Sequence, residues 1–215
     1  MRHVQRLAAF VITALACASA SATIVAANTT YGVIDGREDT RALNVTTHGS
    51  ILDLNIGIEF SKCDDPAIGP EGTRCLGAGA PFENEFDLEL IAPSGQRVIL
   101  VRHDDTYVAG PRGSGAGRVL VSFDDEAASA AGPRVQAGSF RPEEVLSAFD
   151  GMDMFGSWTL FLRDENPGDP LEFLSARLDV DFKAIPEPAP VPEPATLAML
   201  GLGLGLMRMR TARRR

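Results

Sequence analysis

Asp124-Asp125 closes the apolar run Val119 to Phe123, and Asp164-Glu165-Asn166-Pro167-Gly168-Asp169 forms a second oxygen-rich turn. Hard cations such as calcium take about six to eight oxygen ligands, several of them carboxylates gathered in loops. Asp124 and Asp125 are therefore the leading candidates for a calcium site. The competing reading is solvated acidic turns, which any chain with 29 Asp and Glu will contain. Cys63 and Cys75 flank eleven residues of loop composition, Asp64 to Arg74. In an oxidising compartment their expected state is a disulfide, contributing about 2–3 kcal/mol. Zinc is the alternative, but structural zinc sites use paired ligands at short spacings, and no second pair exists. His48 and His103 read as loop or surface residues; no nucleophile motif accompanies either one. Glu143-Glu144 reads as the acidic first turn of a helix rather than as a glycosidase pair, since adjacent helical residues point apart.

The elements that must hold these groups are strands. Ile51 to Phe60 alternates for ten residues, with Leu52, Leu54, Ile56, Ile58 and Phe60 on one face and Asp53, Asn55 and Glu59 on the other. Such a period of two indicates a strand with one buried face. Phe86, Leu88 and Leu90 repeat it, and the turn Pro93-Ser94-Gly95 leads into Arg97 to Val101 as a hairpin. Val119 to Phe123 is another strand. Trp158, Leu160 and Leu162 alternate with polar neighbours. In the last strand Leu174, Ala176, Leu178, Val180 and Phe182 are expected inward, opposite Arg177, Asp179 and Asp181. Only Pro142 to Phe149 reads as helix, with proline at its first position and Leu146 and Phe149 three apart. Many short strands joined by Gly- and Pro-rich turns predict an all-β, jelly-roll-like β-sandwich.

This pattern carries a resemblance. Asp87-Leu88-Glu89-Leu90-Ile91-Ala92-Pro93-Ser94-Gly95, followed by Val98 to Val101, resembles the "GDLxIxLxSPSGT" strand pair of the P/Homo B domain, which accompanies subtilisin-like proprotein convertases. Ser122 to Ala128 resembles that family's "FDDxA" stretch. Gly138 to Gly151 resembles "GxFRPExxLSAFNG", and Gly156 to Asp169 resembles "GTWTLxVxDxxxGD". The similarity runs in family order from about Ile51 to Phe182. It departs in three places: Phe86 stands where a glycine is usual, the cysteine loop between Ser61 and Pro81 is an insertion, and Ala176 replaces an aromatic residue. The resemblance implies a protease accessory domain rather than an enzyme. Its calcium-binding members also put Asp87 near Asp124 and Asp125.

Both chain ends speak of export. Residues 1–22 have a basic start (Arg2, Arg6), an apolar core from Leu7 to Ala18 and the small residues Ala20-Ser21-Ala22 before Thr23, the pattern of a secretory signal peptide. A lipoprotein signal at Cys17 is the rival, weakened by Ala14 where leucine is usual. At the other end, a proline-rich linker (184–194) precedes the apolar stretch 195–207 and an arginine-rich tail, 208–215. This stretch of 13 residues would make a helix of ~20 Å, short for a bilayer that needs about 20 residues. Arginines beyond it favour cytoplasmic retention. Motif, short transmembrane helix and Arg cluster resemble the PEP-CTERM sorting signal of Gram-negative bacteria, with Pro192-Glu193-Pro194 as its core. The resemblance implies an exosortase as partner, transient anchoring in the inner membrane, and a destination at the cell surface or in the exopolysaccharide matrix.

Residues 1–22 and 208–215 hold seven arginines and no acids, so the intervening chain has 13 basic against 29 acidic residues, net −16. That charge argues against nucleic acid or anionic lipid as partner. The expected domain, residues 23–183, is large enough for a real core. Two functional classes follow. The first is a non-enzymatic exported surface or matrix protein. The second is a binding module: an adhesin, a carbohydrate binder or a partner of a separate surface protease. One Trp and two Tyr leave few rings for a sugar-stacking platform.

Overall fold

The computed structural model describes residues 23–62, 64, 80–110 and 117–185. The chain divides into two compact units, Met1–Ala184 and Ile185–Arg215, of which the first carries the fold. Its strands are β1 (Thr23–Asn28), β2 (Gly32–Ile34), β3 (Glu38–Val45), β4 (Gly49–Lys62), β5 (Phe86–Ile91), β6 (Arg97–Val101), β7 (Val119–Phe123), β8 (Gly138–Phe140), β9 (Gly156–Asp164) and β10 (Leu171–Ala184). Six strands form one sheet in the order β1-β10-β4-β7-β8, with β2 also paired to β10; the other four run β3-β9-β5-β6. All pairings are antiparallel except β7 with β8. The expected all-β sandwich of two sheets is what the chain forms.

The core lies where the inward faces of the two sheets meet. Ile56, Ile58 and Phe60 from the larger sheet and Leu88, Leu90, Trp158, Leu160 and Leu162 from the smaller are at most 1% exposed. Trp158 meets Phe149 edge-on at 5.0 Å and donates its indole N–H to the Met154 carbonyl at 2.8 Å, so its polar handle is satisfied. The β5–β6 hairpin closes as expected. Gly95 sits at φ +88°, a conformation glycine adopts freely, and its N–H bonds the Ala92 carbonyl.

Two expectations are corrected. Leu52 is not in the core: it is 55% exposed, and Ile51 is buried in its place. The pairing of β4 with β10 steps from Asp53↔Asp181 to Ile51↔Phe182, so Leu52 is a bulge residue and the face assignment before it flips. A second bulge falls at Leu174, between Phe173↔Phe60 and Ser175↔Glu59, and brings Phe173 into the core ahead of the expected inward set. The helix read over Pro142 to Phe149 shrinks to a 3₁₀ turn, Leu146–Phe149. The backbone N–H groups of Glu143 and Glu144 instead bond the carbonyls of Leu100 and Ile99 on β6, which holds those residues extended.

Strands β1 to β3 carry weaker sequence signals. On β3 the alternation puts Arg41 inward with Leu43 and Val45, and the guanidinium lies over the Phe173 ring at 4.9 Å while bonding the Thr30 carbonyl. Gly32 accommodates it, since a Cβ there would fall 2.0 Å from the guanidinium.

Candidate functional site

Asp124 and Asp125 leave the end of β7 and are both committed to the protein. Asp124 accepts the Glu126 N–H at 2.8 Å and the Ser139 hydroxyl at 3.2 Å. Asp125 accepts the N–H groups of Leu146 at 2.9 Å and Ser147 at 2.8 Å, the orphan donors at the start of the 3₁₀ turn. Acidic neighbours crowd this end of the sheet. Burial, then the charge of Asp124, raises the Asp53 carboxyl above its ordinary range. A hydrogen bond with Asp124 raises Glu126, and burial followed by the Asp125 charge raises Asp150.

Asp87 does not join this group. It lies on β5, in the other sheet, facing the loop after β6. Its Oδ1 accepts both the backbone N–H of His103 and the ring Nδ1–H, each at 2.9 Å. The same nitrogen is 3.4 Å from Glu165 Oε1, while Arg163 donates to Glu165 Oε2 at 2.7 Å. Among the described residues, Asp87, His103 and Glu165 are the set of metal-type donors lying within 4.8 Å of one another, and neither Asp124 nor Asp125 belongs to it. His103 Nδ1 lies between the two carboxylates, 2.9 Å from Asp87 and 3.4 Å from Glu165. His103 is therefore a partnered residue, its pKa raised chiefly by the bond to Asp87.

His48 is partnered too. Its Nδ1 lies 2.6 Å from Asp153 Oδ2, and Phe155 stacks on the ring at 4.1 Å. The bond to His48 holds the Asp153 carboxyl below the usual range. Half a triad is thus present, but the neighbouring Ser50 hydroxyl bonds the Gly151 carbonyl instead. Glu143 and Glu144 turn to different partners: Glu143 accepts the Thr106 hydroxyl at 2.6 Å, and Glu144 accepts the Ile99 N–H at 2.9 Å.

A buried polar cluster was not anticipated. Lys62, the last residue of β4, has a fully buried side chain; its Nζ is 2.7 Å from Asp164 Oδ2, at the end of β9. Glu85 Oε2 lies 3.5 Å from the same nitrogen, which also donates to the Asp169 carbonyl. Asp164 Oδ1 is buried without a hydrogen-bond partner. Burial raises both the Asp164 and the Glu85 carboxyls, against the pull of Lys62. A signal existed in the sequence: Lys62 continues the inward register of Ile58 and Phe60, and Asp164 that of Leu160 and Leu162.

Cys63, Cys75 and the sorting tripeptide Pro192-Glu193-Pro194 lie outside the described residues, as do the expected signal peptide and short transmembrane helix. Among the described residues no helix is long and apolar enough to cross a membrane. The tail is decided by its sequence, whose proline motif, apolar stretch and terminal arginines occur in the expected order. Residues 190–215 match the PEP-CTERM protein-sorting motif. A PEP-CTERM tail implies processing by an exosortase and export to the envelope or surface of a Gram-negative bacterium. No curated protein matches the chain in sequence. Among solved structures it is similar to the serine protease of Aeromonas sobria, at 13% identity and a TM-score of 0.38; the alignment covers 72% of this chain and 26% of that protein.

Proposed function

We propose that this protein is an exported, non-enzymatic component of the cell surface or exopolysaccharide matrix, a P/Homo B-like sandwich delivered through its PEP-CTERM tail. The match of residues 190–215 to the sorting motif carries this reading. The sandwich supports the P/Homo B likeness because the resembling segments fall on successive elements: the β5–β6 hairpin, the end of β7, β8 with the 3₁₀ turn, and β9. A non-enzymatic role agrees with the use of the candidate catalytic groups, His48, Ser50, Glu143 and Glu144, in internal bonds. Export proceeds by a signal peptide cleaved before Thr23, the residue that opens β1. In the oxidising environment beyond the inner membrane, Cys63 and Cys75 pair. The test is mass spectrometry of surface-extracted protein from cells with and without an exosortase. Exosortase-containing cells should yield protein lacking the arginine tail; a C-terminal peptide still ending at Arg215 would overturn the reading.

A further inference from the structure

We propose that Lys62 and Asp164 join covalently, through an intramolecular isopeptide bond between Lys62 Nζ and the Asp164 side-chain carboxyl carbon, with Glu85 as the proton-shuttling catalytic residue. The geometry is that of a reactive pair. Nζ lies 2.7 Å from Oδ2, one bond from the carboxyl carbon that the amine would attack. Both side chains are fully buried, so water competes for neither partner. Two rigid strand ends, one from each sheet, hold them in place.

The electrostatics favour the same step. A buried ion pair recovers its desolvation cost only when its remaining lone pairs are also satisfied, and here Asp164 Oδ1 has no partner. Moving one proton from the ammonium to the carboxylate converts the pair into amine and carboxylic acid with no net change in protonation. Burial raises the Asp164 carboxyl, which favours its acid form in that exchange. The amine then attacks the carboxyl carbon. The Nζ–C bond forms, Glu85 takes a proton from nitrogen and passes it to the departing hydroxyl, and a carbon–oxygen bond breaks to release water. Lysine amine and aspartic acid become one amide and one water, and no oxidant or reductant takes part. Glu85 suits the shuttle because it contacts Nζ and its own carboxyl is raised by burial. The product removes two buried charges and ties the six-stranded sheet to the four-stranded one.

The experiment is an intact-mass measurement on the exported protein, reduced and denatured, with both termini assigned from terminal peptides. The expected mass is lower than that of the sequence between those termini by one water. A tryptic digest should contain a branched peptide joining the Lys62 and Asp164 segments, which separates this bond from dehydration of an aspartate elsewhere. Asp164→Asn should lose ammonia in place of water. Glu85→Gln should fold, by circular dichroism, yet keep the uncondensed mass. An unreduced sequence mass in folded wild-type protein, with Lys62 open to amine labelling after denaturation, would overturn the proposal. Water loss persisting in Glu85→Gln would overturn the role given to Glu85.

Discussion

Holding the His103 imidazole against Asp87 and Glu165 couples its protonation to folding. The bond to Asp87 is the main cause of the raised pKa, partial burial opposes it, and Asp87, Glu165 and Asp104 add charge in its favour; Arg163 faces the far oxygen of Glu165. A group whose folded pKa is raised contributes stability that is complete below its unfolded value and fades as pH climbs through the folded one. The gap in melting temperature between wild type and His103→Asn should therefore be widest below pH 6.5 and narrow as pH rises past the elevated value. Thermal melts across that range check this; a constant gap would separate His103 charge from stability. Asp125 illustrates a different lesson at this scale. Its carboxylate looks like a cation ligand in sequence, yet in the fold both oxygens satisfy the first N–H groups of a 3₁₀ turn.

At the scale of a strand, alternation in β4 is broken by one inserted residue. Ile51 and Leu52 are both apolar, and composition does not distinguish them, but the bulge turns Ile51 into the core and Leu52 to solvent. Ile51→Ala should cost about 2–5 kcal/mol, the range for deleting buried methyl groups. Leu52→Thr, at a 55% exposed site on a strand, should stay within about 0.5 kcal/mol. Urea unfolding of the two variants distinguishes the registers: equal losses would place both side chains in the core. The second bulge, at Leu174, has a parallel effect, because it lets Phe173 receive the Arg41 guanidinium on its ring.

Across the whole molecule, the longest stretch between consecutive strands joins β4 to β5 and contains both Cys63 and Cys75. The Cys63–Cys75 bond proposed above would close that stretch next to Lys62 in sequence, where β4 ends. Thiol labelling of native exported protein should modify neither cysteine before reduction and both after it. Full labelling without reductant would refute the pairing. Oxidation state and sorting are read separately, since tail processing is followed at residues 190–215.

Sequence alone determined the features that depend on local pattern. Period-two alternation specified an all-β chain and most inward faces, including Trp158, Leu160 and Leu162, because a strand's side chains have only two sides to choose between. The tail was legible for a related reason: a sorting signal is read as a linear motif. Tertiary structure decided what depends on long-range partners. Bulges in β4 and β10 arise from the pairing of two strands more than a hundred residues apart, and no window of sequence contains both. The Pro142 to Phe149 segment has helical residues, but the carbonyls of Ile99 and Leu100 compete for its N–H groups and hold half of it extended. Separation of Asp87 from Asp124 and Asp125 follows from their placement on different sheets. The contact of Lys62 with Asp164 has the same origin: alternation turns each side chain inward, but only the packing of one sheet on the other makes them meet.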